Sequence, residues 1–62
     1  MKFIELQDIH KRDVIVNVSN IEYVWFGDTI TGIRFKHGDE LIVAETKEDF
    51  KAKLTYACMN DQ

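Results

Sequence analysis

The sequence predicts an α+β fold in which an antiparallel β-sheet meander of about five short strands carries one C-terminal α-helix packed on one face. Three observations predict it. β-Branched and aromatic residues recur with strand-like alternation as far as Ala44, and a period of two belongs to a pleated strand. Short polar and glycine-containing segments, Ser19-Asn20, Gly27-Asp28 and His37-Gly38-Asp39, separate those runs. After Glu45 the apolar residues Phe50, Leu54, Ala57 and Cys58 fall at helical spacing.

Phe3 to Gln7 is the first expected strand, followed by a polar link from Asp8 to Asp13. Val14, Val16 and Val18 mark a second, because β-branched side chains pack well on a pleated surface. Ser19-Asn20 ends it, since short polar side chains hydrogen-bond their own backbone. Ile21 to Phe26 is a third strand, with Ile21, Tyr23 and Trp25 on one face and Val24 and Phe26 on the other. Gly27-Asp28 then turns the chain into a fourth, Thr29 to Lys36, making a hairpin. Gly38 sits in the next turn and Glu40 to Ala44 returns as the fifth. Thr46 is the expected helix N-cap, with Asp49 three positions on and Glu48 beside it in the first turn, where carboxylates suit the helix dipole. Met59 to Gln62 is expected to fray.

A chain of 62 residues is shorter than the roughly 150 of an average domain, so one domain over residues 1–62 is expected. With 45% hydrophobic and 31% charged residues it has a globular composition, which excludes low-complexity function. Its net charge of −3 supplies no field that would gather it onto phosphate backbones. Apolar runs such as Val14-Ile15-Val16 are far shorter than the 18 or so residues of a membrane span. Glu5 interrupts the position of a secretory apolar region, so the cytoplasm is the expected compartment. Cys58 is the single cysteine, which rules out an internal disulfide and any metal site built on two thiolates.

Residues that carry chemistry are sparse. His10 and His37 with Asp8, Asp13 or Asp39 have ligand-type side chains, but both histidines fall in expected turns without paired spacing. Cys58 lies on the helix stripe, which favours a small buried side chain over a nucleophile. Ser19 lacks the strand-to-helix elbow that exposes a catalytic serine. Gly27, Gly32 and Gly38 do not precede a helix, so no phosphate cradle forms. The expectation is a protein that is not an enzyme and takes no cofactor or metal.

The stretch Val16-Asn17-Val18-Ser19-Asn20-Ile21-Glu22-Tyr23-Val24, with Thr29-Ile30 through Phe35, Gly38, Leu41, Val43 and Glu45-Thr46, covers over half of the chain. It resembles the FlbD-like small flagellar and swarming-motility proteins, and more distantly the β-rich part of LytTR-type DNA-binding domains. That resemblance implies a compact meander followed by a helix, and a regulatory or accessory role without catalysis. The aromatic group Tyr23, Trp25 and Phe26 and the polar tail after Leu54 depart from the family pattern, and no functional residue is carried over.

One helix of about 13 residues is roughly 20 Å long and covers one face of a sheet whose two faces are both apolar. With Leu41 and Val43 toward the helix, Ile42 points away, and Ile15 and either Trp25 or Phe26 remain on the second face. Such a patch marks a protein interface. The candidate interface residues are therefore Ile15, Trp25, Phe26 and Ile42, with Arg34 as a polar rim contact, and the expected partner is a protein or a second copy in a homo-oligomer. Alternation puts at least one of the three rings in the core. Exposed aromatics near Arg34 and Lys36 also suit base stacking, the basis of a LytTR-like DNA-binding alternative. Another alternative is an acidic inhibitor of the kind phages encode, in which Asp39, Glu40, Glu45, Glu48 and Asp49 cluster to mimic phosphates.

Overall fold

A computed structural model describes residues 2–59. The chain forms β1 (Phe3–Gln7), β2 (Asp13–Asn17), a 3-10 turn (Val18–Asn20), β3 (Ile21–Phe26), β4 (Thr31–Phe35), β5 (Glu40–Val43) and α1 (Lys47–Met59). The α+β class holds, with all strand pairs antiparallel. The strands divide between two sheets, a β1-β2 hairpin and a β3-β4-β5 meander. A bridge between Asp8 and Val43, with the Ala44 N–H donating to the Gln7 carbonyl at 2.8 Å, joins them at one corner.

The β1-β2 loop is built around one carboxylate. Asp8 is buried; its Oδ1 accepts from the His10 and Arg12 amides, and its Oδ2 accepts from Arg12 Nε, each at 2.9 Å. A buried carboxylate is tolerated because every oxygen is satisfied. The Lys11 N–H donates to the Asp8 carbonyl, and Lys11 then adopts a left-handed φ of 65°, the usual form of a three-residue hairpin loop.

The inner faces of the two sheets meet. Ile4, Leu6 and Val16 from the first sheet, Ile33 and Val43 from the second, and Phe50 from α1 form the buried core. Thr31, also buried, donates its hydroxyl to the Glu45 carbonyl at 2.9 Å. Thr46 Oγ1 accepts from the Asp49 amide at 3.2 Å, so the helix starts on the expected cap. Lys53 ties α1 back to the sheets, with Nζ 2.9 Å from Glu45 Oε2 and 3.1 Å from the Glu5 carbonyl.

Three expectations are corrected. Ile21 packs against the core and does not share a face with Tyr23 and Trp25, because a register shift between Ile21 and Tyr23 inserts one residue and reverses the alternation. Cys58 is exposed: Phe50, Leu54 and Ala57 fill the width of α1 that meets the sheets. Met59 belongs to α1, while residues 60–62 of the expected frayed tail lie outside the described residues.

Candidate protein interface

Cross-strand register assembles the outer face of the meander. Tyr23 pairs with Arg34 and Arg34 with Glu40; Trp25 pairs with Gly32 and Gly32 with Ile42. Directly paired residues project to the same side of a sheet, so Tyr23, Trp25, Arg34 and Ile42 share one face. Gly32 sets its shape. A Cβ at Gly32 would fall inside the Trp25 indole, so the ring lies on bare backbone between its own strand and Ile42. Tyr23 is 50% exposed and Trp25 41%. Arg34 lies 3.6 Å from Glu40 and 4.0 Å from Glu22, while its Nε is shielded from solvent with no hydrogen-bond acceptor.

Trp25, Arg34 and Ile42 are thus brought together as expected, and two other candidates are not. Phe26 lies on the opposite face. Its ring meets Phe50 edge-on at 6.1 Å, and the Lys47 ammonium sits 5.9 Å from its centroid. It is nevertheless 38% exposed, so none of the three rings is fully enclosed, because Phe26 stands at the end of an edge strand. Ile15 belongs to the other sheet, on the outer face of β2, and is 66% exposed. Phe3, exposed on β1, lies diagonally from it, since Phe3 pairs with Asn17 and Glu5 with Ile15. Sequence reasoning passed over Phe3 and the Gly32 seat. The strict exchange of Glu5 and Gln7 with Ile4 and Leu6 carries the signal for Phe3, whereas nothing local reveals which ring lies over Gly32.

Between β2 and the end of the β4-β5 hairpin runs an open groove of about 430 Å³ lined by Val14 to Asn17 on one side and by Phe35, His37 and Leu41 among others. His37 stacks on Phe35 at 5.6 Å and pairs with Asp39 at 3.1 Å. Among the described residues no three His, Cys, Asp or Glu side chains come together to hold a metal ion. The carboxylates fall into separate groups. Asp39 and Glu40 sit at the start of β5, while Glu45 and the helix start follow its far end, roughly 16 Å along an extended chain; Glu45 is buried and paired with Lys53.

Among ionisable groups, Asp8 is held below the ordinary carboxylate value of 3.8 by the Arg12 backbone amide, against burial that pushes the other way, with help from the Arg12 side chain and the His10 amide. These partners close the β1-β2 loop. No helix among the described residues is long and apolar enough to cross a membrane. Comparison with protein-family models, with curated proteins and with solved structures returns no match.

Proposed function

We propose that this chain is a nonenzymatic, cytoplasmic protein-interaction module that associates with itself through the outer face of the meander. The observation that carries the reading is the row Trp25-Gly32-Ile42 beside Tyr23: an apolar strip, aromatic at one end, on a face that no described element of the chain covers. Aromatic side chains and arginine are enriched where binding energy concentrates, and Arg34 borders the strip with its guanidinium 3.6 Å from Glu40 and 4.0 Å from Glu22.

Small size adds to the argument. A chain of 62 residues buries only about 60% of its unfolded surface, so covering a further apolar face by association adds stability that the isolated subunit lacks.

Sedimentation equilibrium tests the reading. The wild-type protein is expected to exceed its 7.3 kDa subunit mass as concentration rises, and Trp25→Ala to lower that mass with its circular dichroism unchanged. A wild type that stays at subunit mass in the millimolar range sinks the proposal, as does a folded Trp25→Ala protein that assembles like the parent.

A further inference from the structure

The four outer strand edges are not equally protected, and the difference points to a second self-contact. β3 is irregular at Ile21/Tyr23, and a bulge twists an edge away from partners. β5 is met at its end by β1 through the Ala44 amide, and β1 is met in turn by β5 and by Lys53, which donates to the Glu5 carbonyl. β2 has none of these devices. It is regular over all five residues, contains no proline, lysine or glycine, and has its only charge at one end, Asp13.

The hydrogen-bond phase of that edge follows from its neighbours. The Val18 N–H donates to the Lys2 carbonyl and the Asp8 N–H to the Arg12 carbonyl, one bond on either side of the β1-β2 register. Bonded pairs in an antiparallel ladder alternate, so Val14 and Val16 bond to β1. Asp13 and Ile15 turn their N–H and C=O groups, and Asn17 its N–H, toward the open groove beside the end of the β4-β5 hairpin, while the Asn17 carbonyl accepts the first bond of the 3-10 turn that it caps.

We infer that two copies of this chain pair antiparallel through β2, about a two-fold axis at Ile15. That register uses the whole strand: Ile15 bonds to its counterpart in both directions and the Asn17 N–H donates to the Asp13 carbonyl of the second copy, giving about four main-chain hydrogen bonds. The ends are complementary, since each carboxylate faces an amide and no like charges face each other. Sliding the strand to centre on Asp13 would oppose two carboxylates and shorten the overlap. Across the axis the exposed Ile15 side chains meet as a cross-strand pair, with Phe3 diagonal to each. The two hairpins become one four-stranded sheet, and the Trp25 face is left free.

The contact is separable from the meander face and does not depend on it. Ile15→Lys places two ammonium groups opposite each other at the axis and, on an exposed site, leaves the subunit folded. Sedimentation is expected to show association through this edge weakened by at least roughly tenfold. In the Trp25→Ala background the remaining dimer is expected to fall to subunit mass when Ile15→Lys is added. Residue-resolved amide exchange on the wild type provides a second measurement. Protection should rise with concentration at Ile15 and Asn17, whose donors meet carbonyls of the second copy. If Ile15→Lys assembles like the parent, or if association leaves those two amides unprotected, the edge contact is wrong while the meander-face reading stands. If Trp25→Ala has no effect and Ile15→Lys does, the reverse holds, and a strictly monomeric wild type overturns both.

Discussion

Gly32 and Asp8 show how one residue decides a surface or a loop. Any side chain at Gly32 competes with the Trp25 ring for the same space. Gly32→Ala is expected to displace the indole and destabilise the fold by about 1–3 kcal/mol, the usual range for overpacking. Because Trp25 is the only tryptophan, its emission reports the displacement directly, and an unshifted spectrum with unchanged stability would refute the seat. Asp8 fixes the first hairpin loop through an ionised carboxyl held below 3.8. A group with a depressed folded pKa stabilises the fold above its unfolded value, and that stability is lost as pH falls through the folded value. The wild type should therefore lose urea resistance below about pH 3.8, the unfolded value, and Asp8→Asn should be less stable at neutral pH with a flatter acid limb. Equal acid limbs for the two proteins would show that the loop does not depend on the charge. Gly38, at φ 104°, lies in the left-handed region, so Gly38→Ala should cost about 1 kcal/mol by strain although space around it is open.

Among the elements, α1 depends on one anchor and one cap. Phe50 is 1% exposed and touches both the core and Phe26, so Phe50→Ala should cost about 3–5 kcal/mol, measured by denaturant midpoint. Loss of that much in so small a domain leaves little fold. Thr46→Ala removes the acceptor for the Asp49 amide and should cost about 1 kcal/mol with the assembly state unchanged, which separates a cap from an interface. β1, β3 and the cap were legible in the sequence because alternation and capping are local signals. Residue faces on β3 were misread at one position, Ile21, because a bulge inserts a residue without any composition cue. Val18 alternates with Val14 and Val16 as a strand residue should, yet it begins the 3-10 turn, where the Asn17 side chain accepts from the Ser19 amide at 3.1 Å and draws the backbone out of the strand.

For the whole molecule, two sheets enclose one core by turning their inner faces together, and each keeps an outer face. Apolar groups on those outer faces fall into two separate places, Phe3 and Ile15 on one sheet, Tyr23, Trp25 and Ile42 on the other. Two independent two-fold contacts on one chain build an assembly larger than a dimer. Light scattering on the wild type, Trp25→Ala, Ile15→Lys and the double variant should therefore give a large species, two dimers of different geometry, and a subunit. A double variant that still associates would require a third contact, which neither patch explains.

Alternation, turn residues and helical spacing were enough, by themselves, to determine an α+β chain of five strands and a helix, and to name Ile15, Ile42, either Trp25 or Phe26, and Arg34 at the rim as outward-facing candidates, because each of these signals is written in neighbours a few positions apart. The division into two sheets, the removal of Phe26 and Ile15 from the Trp25 face, the seating of the indole over Gly32 and the exposure of Cys58 depended on which distant strands pair and how wide a stripe the helix buries. Those are decided by the competition of all apolar surfaces for one interior.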